Sequence, residues 1–242
     1  MNKGKYTYVW VSFVILVFGI IFIPKIIDRI QNGSVVENDR INLKDTTDEL
    51  SYLIIDGKKR RVPQFALLNQ DSLLISDKDY IGKVYVAEFF FTSCPTICPL
   101  MTKNLVEIQN EFKVDSDFGI VSFTINPRYD SPRVLKEYAE KYNITDLDWH
   151  LLTGEQEKIY ELANKGFNIF ADENPEVPGG FEHSGMFALI DKKGYIRSRV
   201  DSYGNPIIYY RGTISETEGQ NDEGEKEQIS ILKEDIKKLL QE

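Results

Sequence analysis

Val84-Tyr85-Val86-Ala87-Glu88-Phe89-Phe90-Phe91 runs straight into Thr92-Ser93-Cys94-Pro95-Thr96-Ile97-Cys98-Pro99, and this stretch decides how the chain is read. Its first half is a nearly unbroken β-prone run, the pattern of a central strand covered on both faces. Its second half holds both cysteines of the chain. Beyond it, Leu105, Ile108 and Phe112 recur at helical spacing within residues 100–112. The expected order is strand, cysteine loop, helix.

The pattern repeats downstream. Residues 119–125 (GIVSFTI) read as a second buried strand, followed by a proline-containing loop and a helix over 132–142 with Ser131 as its N-cap. Residues 149–152 predict a short strand and 154–164 a helix. Residues 185–191 predict a third clear strand, with 195–201 as its hairpin partner across Lys193-Gly194. Upstream, 51–55 and 61–68 flank the turn dipeptide Asp56-Gly57 and predict an opening hairpin. Near the end, 216–227 is acidic and almost free of apolar residues, which predicts a solvated loop. Ile229, Leu232, Ile236 and Leu239 then mark a last helix docked on the sheet. Strands alternating with helices predict a compact α/β sandwich, and no internal repeat is present.

A chain of 242 residues with 42% hydrophobic and 12% aromatic residues suffices for one sizeable core plus appendages. A net charge of -9 argues against nucleic acid as a partner, because phosphate binding needs a clustered basic face. From Tyr6 to Ile23 no residue is charged. At ~1.5 Å rise per residue a helix of this length nearly spans the ~30 Å hydrocarbon layer, which predicts a single-pass transmembrane helix. Lys3 and Lys5 precede it and Lys25 and Arg29 follow, so flanking charge hardly sets its orientation. A cleaved signal peptide fits less well, since Ile-Pro-Lys follows where small cleavage-site residues belong. No cysteine lies near the segment to carry a lipid. The expected organisation is an anchor with its flanks at 1–32, a tether at 33–50 and a folded domain at 51–242. That domain includes an acidic loop at 213–228 and a C-terminal helix at 229–241.

Cys94 and Cys98, four apart at a helix start, are expected on one helix face about one turn apart, close enough to share a metal ion. A helix N-terminus favours the thiolate, and Pro95 and Pro99 restrict the loop. Two thiolates leave a coordination shell incomplete, and the chain offers only His150 and His183 to finish it. His183 lies in Phe181-Glu182-His183-Ser184-Gly185, directly before a strand, and in a thioredoxin-like sheet that loop faces the dithiol. His183 is therefore the expected third ligand, and His150 reads as a surface or satisfied core histidine. Two thiolates and an imidazole suit copper, while structural zinc usually takes four protein ligands. Catalytic zinc has no accompanying acid or base motif here.

Phe91 to Pro99 resembles the copper motif of the Sco (SenC) family. Asn126-Pro127-Arg128-Tyr129-Asp130-Ser131-Pro132, Trp149-His150-Leu151-Leu152-Thr153-Gly154 and Glu182-His183-Ser184 are similar to further blocks of that family, in the same order. The resemblance runs from about residue 60 to 212. It implies a thioredoxin-like three-layer sandwich and one copper ion at the positions matching Cys94, Cys98 and His183. It also implies a metallochaperone role in building the dinuclear copper centre of cytochrome c oxidase. The partners would be the copper-centre subunit of that oxidase, other copper chaperones or thioredoxin-like reductants, met on the extracytoplasmic side of the membrane. The chain departs from the pattern at Asn126, where the family usually carries Asp. Asp130 matches the second acid of the block, and also reads as a helix-start carboxylate favoured by the macrodipole.

The rival readings are a thioredoxin-like thiol-disulfide oxidoreductase and a redox or copper sensor. Against the oxidoreductase stand three residues between the cysteines instead of two, and His183-Ser184-Gly185 where such enzymes place a proline. A metal-free Cys94–Cys98 staple would close too short a loop to stabilise much.

Overall fold

The structure is a computed structural model and describes residues 7–31, 50–200 and 206–242. The chain divides into two compact units, Met1–Asp48 and Glu49–Glu242. In the first, helix α1 (Thr7–Gln31) contains Pro24, and Trp10, Phe13, Ile15, Phe18 and Ile20 along it are exposed. Among the described residues no helix is long and apolar enough to cross a membrane. The expected transmembrane helix therefore gains no support from the structure. The expected tether lies outside the described residues apart from Leu50.

The second unit opens with β1 (Ser51–Tyr52), β2 (Ile54–Ile55), β3 (Lys58–Lys59), β4 (Ala66–Leu68) and β5 (Leu74–Ser76). The central succession is β6 (Val84–Phe90), α2 (Cys98–Phe112), β7 (Phe118–Thr124), α3 (Pro132–Tyr142), β8 (Trp149–Leu152) and α4 (Gln156–Glu161). It ends with β9 (Ala171–Glu173), β10 (Phe181–His183), β11 (Met186–Ile190), β12 (Ile196–Val200), β13 (Pro206–Ile207), β14 (Tyr210–Arg211) and α5 (Ile229–Gln241). The main sheet has the order β1-β12-β11-β6-β7-β8, with β13 on β12 and β14 on β11. All residues of β6 and β7 are buried, as expected of strands covered on both faces. They pair in parallel from Val84↔Phe118 to Phe90↔Thr124, and β8 continues in parallel from Ile120↔Trp149. Parallel neighbours need a crossover, which α2 and α3 supply. On the other side β11 pairs antiparallel with β6. The β8 edge is stopped by a side chain: Gln70 accepts from the Leu151 N–H at 2.9 Å and donates to the Trp149 carbonyl at 3.1 Å. Further along, Leu68 and Thr153 form a bridge, so the edge offers little to another strand.

Alternation along β6 sends neighbouring rings to opposite layers. Phe89 and its register partner Phe123 stack at 5.2 Å, and both meet Phe167 after α4. Phe65 meets Phe123 from the same side. Phe90 instead meets Tyr138 of α3, and Phe118 meets Phe112 of α2. Helix α5 lies beside α2, with Lys233 and Lys237 both paired to Glu111.

Glu88 is the exception in β6. It is 1% exposed and accepts the Ser122 hydroxyl at 2.7 Å, and Ser122 in turn accepts the Trp149 indole N–H at 3.0 Å. Its second oxygen has no partner among the described residues. Burial pushes the Glu88 carboxyl up to about 8, against a pull down from Ser122. The folded chain thus holds a proton that an unfolded Glu, near 4.5, gives up. Its contribution to stability is complete below about pH 4.5 and is lost as pH rises through about 8. Glu88→Gln is expected to flatten the fall in stability over that window in a urea-unfolding series; an unchanged slope would assign the effect to another group.

Several local expectations need correction. Asp56 and Gly57 do form a turn, both with positive φ (51° and 72°). Such a two-residue turn joins adjacent residues, so β2 pairs with Lys58–Lys59 and not with 61–68. Residues 66–68 pair instead with β5. Helix α4 is shorter than 154–164 and passes into a π turn, Leu162–Phe167, where the Asn164 side chain bonds both backbone groups of Ala171. Ser131 sits at the N-cap of α3 but its side chain makes no capping bond. The acidic stretch is tied down by Arg211–Glu225 and Lys233–Glu216 ion pairs.

Candidate metal centre

The chain leaves the carboxyl end of β6 at Phe90, turns through residues 91–97 and enters α2 at Cys98. The turn begins with the Cys94 N–H donating to the Phe91 carbonyl at 3.2 Å. Pro95 disfavours a helical conformation at Cys94, while Pro99 fits the first turn of α2, whose N–H groups lack helical partners anyway. The expectation that both thiols share one helix face is thereby corrected: Cys98 belongs to the helix and Cys94 to the turn before it. Cys98 is fully buried and Cys94 nearly so. Both thiols are free.

His183 is also placed differently from the expected loop, as the last residue of β10. Strand β10 pairs antiparallel with β9, with His183 opposite Ala171. The hairpin sits over the cysteine turn: the Phe91 ring packs on Phe181 at 5.2 Å and lies 6.1 Å from the His183 ring. Gly179, with φ +89°, lies so close that a Cβ there would come within 3.0 Å of Phe91 and Pro95. Gly185, with φ +66°, leaves no room for a Cβ against Thr213 and Ile97. A larger residue at Gly179 would press on Phe91 and Pro95 of the cysteine turn, and one at Gly185 on Thr213 and Ile97.

His183 Nε2 lies 3.2 Å from Cys98 Sγ, and the donor atoms of Cys94, Cys98 and His183 all lie within 4.8 Å of one another. Among the described residues no other group of three such side chains converges. At metal–sulfur and metal–nitrogen bonds of roughly 2.0–2.3 Å, ligand atoms sit about 4 Å apart, so small shifts suffice to close these three on one ion. The Cys98 thiol pointing at Cys94, with further help from His183 and nearby N–H groups, holds the Cys94 thiol well below the usual range despite its burial. Burial and the negative charge on Cys94 push Cys98 upward. Cys94 is thus the sulfur that gives up its proton more readily, and as a thiolate it is the form that takes a soft cation or attacks a disulfide.

His150 is set apart from these residues, with Nδ1 3.3 Å from the Asn69 side-chain amide and burial lowering its proton affinity. Asp130, which reads both as the second acid of the family block and as a helix-start carboxylate, turns inward: it is fully buried and accepts from Thr92 and Thr124. Sequence reasoning missed this link and the β9–β10 hairpin. The turn-rich run Asn174-Pro175 to Pro178-Gly179-Gly180 was the available signal for the hairpin.

Residues 55–215 match the family model described as SCO1/SenC. A Bacillus subtilis (strain 168) protein named SCO1 protein homolog is 34% identical over 145 residues, which covers 59% of this chain and 75% of that protein. The crystal structure of a SCO1/SenC family lipoprotein from Bacillus anthracis str. Ames aligns with a TM-score of 0.60 and 30% identity, over 74% of this chain and 95% of that one. BsSco, described as a member of the Sco family of cytochrome c oxidase assembly proteins with a disulfide switch, aligns with a TM-score of 0.56 and 28% identity, over 75% and 94%. These alignments fall on a mixed α/β sandwich consistent with the thioredoxin-like type. With well over half of its length matched by one family model and its site residues inside the match, this chain belongs to the SCO1/SenC family.

Proposed function

We propose that the chain binds one copper ion through Cys94, Cys98 and His183 and serves the dinuclear copper centre of cytochrome c oxidase, by handing over copper or by preparing the target's thiols. The observation that carries this reading is the convergence of two sulfurs and one imidazole nitrogen within 4.8 Å. Two soft donors and an imidazole favour copper, which would be held between the cysteine turn and the β9–β10 hairpin. The assembly role is supported by family membership and by the description of the relative BsSco. The partners of this reading are the oxidase's copper-centre subunit, upstream copper chaperones and thioredoxin-like reductants.

Elemental analysis of the reduced chain loaded with Cu(I) or Cu(II) is expected to find about one copper per chain. His183→Ala should lose most Cu(II) while its dithiol still oxidises; equal Cu(II) retention would remove His183 from the site. A second reading, thiol-disulfide exchange, is supported by the unequal sulfurs: Cys94 gives up its proton more readily than Cys98. In that reaction the dithiol becomes a disulfide while a target disulfide takes up the two electrons and two protons. Rapid insulin reduction without copper retention would favour it.

Residues 1–32 are proposed to hold the domain on the extracytoplasmic face of a membrane as a single-pass anchor, on the strength of the uncharged run Tyr6 to Ile23. Carbonate-washed membranes should retain the full chain and release one lacking 1–32; release of both would end the anchor proposal.

A further inference from the structure

We infer that Asp130 is a positioning residue for the copper-ligand loop, acting through Thr92. The inference deepens the proposed copper reading, on which its copper arm rests. Asp130 is 0% exposed. One carboxylate oxygen accepts the Thr92 N–H at 3.1 Å together with the Thr124 hydroxyl, and the other accepts the Thr92 hydroxyl. The acid is itself fixed from behind. Its N–H donates to the Asn126 carbonyl at 2.9 Å, and the Asn126 N–H donates to Thr124 Oγ1 at 3.0 Å. No ion pair to Asp130 is present among the described residues. A buried carboxylate without a cation is costly, so its use against two hydroxyls and one amide at the root of a loop points to geometry as its role.

The place it holds is decisive for the site. Thr92 is two residues before Cys94, and its neighbour Phe91 both accepts the Cys94 N–H and packs against Phe181 of the strand that ends in His183. Pinning Thr92 therefore sets where Cys94 sits and how the His183 hairpin meets it. An asparagine can reproduce the arrangement: its carbonyl accepts the Thr92 N–H and the Thr124 hydroxyl, and its NH2 donates to the Thr92 oxygen. An alanine cannot, and removes the acceptor of both the Thr92 N–H and the Thr92 hydroxyl.

The test uses the full chain with Asp130→Ala, Asp130→Asn, Thr92→Val and Thr92→Ser. Two quantities are measured: Cu(I) affinity against a chromophoric chelator, and the equilibrium constant of the metal-free dithiol with glutathione disulfide. Asp130→Ala is expected to weaken copper binding by about 10–100-fold and to shift the glutathione constant by about tenfold, equal to roughly 30 mV. Thr92→Val should move both in the same direction by less, while Asp130→Asn and Thr92→Ser stay near wild type. Folded Asp130→Ala and Thr92→Val chains with wild-type constants would overturn the inference. So would Asp130→Asn shifting as far as Asp130→Ala, since charge and not placement would then matter. Should Asp130→Ala fail to fold, Thr92→Val decides by the same criterion. Failure of the wild-type chain to hold copper would sink the copper reading alone, because the glutathione constants still test the positioning.

Discussion

Replacing Cys98 by serine is expected to leave the fold standing and to remove copper retention almost completely, with elemental analysis falling from about one copper per chain to near zero. Cys98 is 0% exposed at the first residue of α2, and serine differs by one atom, so packing changes little. The chemistry changes much more. A serine hydroxyl is a hard donor that stays protonated at neutral pH, and it cannot supply the soft thiolate that pairs with Cys94 and His183. The same change removes the thiol that stabilises the charge on Cys94, so two ligands are weakened by one substitution. Retention of copper at wild-type stoichiometry in folded Cys98→Ser would show that the ion is held elsewhere.

The largest loss of stability is expected from Phe123→Ala. Phe123 is 0% exposed in a strand paired on both sides. Its ring touches three others, with centroid distances of 5.2 Å to Phe89, 5.2 Å to Phe65 and 5.8 Å to Phe167. Truncation of a buried Phe costs about 3–5 kcal/mol, and here the void would open between the sheet and the α4 layer. Against a total of about 5–15 kcal/mol for a typical domain, that is a large fraction. Denaturant midpoints or a fall in Tm of about 10 °C would report it. A loss under about 1 kcal/mol would mean that this layer does not pack on the sheet as described. Phe123→Leu should lose less, because it keeps most of the buried apolar area.

The parts of the fold legible in sequence were those whose signal is local. Seven consecutive buried residues in β6, and in β7, leave a largely apolar, β-prone run, and Ile229, Leu232, Ile236 and Leu239 of α5 repeat at the helical period and are all buried. Such periods are set by backbone geometry, so they survive without knowledge of the partner. Strands β9 and β10, at three residues each, are too short to display a period, and their pairing depends on a turn-rich segment folding back over Phe91 and Pro95. The opening hairpin was misread for a related reason: the turn at Asp56-Gly57 is local, whereas the second arm's partner is chosen by competition among Leu53, Tyr195 and β5.

The site divides in the same way. Sequence alone determined the inventory: two cysteines in one loop after a buried strand, two histidines, and no further thiol to complete a zinc site. Residue types carry donor chemistry wherever they lie, which is why softness could be argued before any coordinates. The choice of His183 over His150 could be made from sequence, but only the tertiary structure shows its ring meeting Cys98 across 85 residues of chain, and only it shows Asp130 reaching back across 38 residues to hold Thr92. Those contacts arise from how the layers pack over the sheet, and no stretch of the chain short enough to be read locally contains both partners.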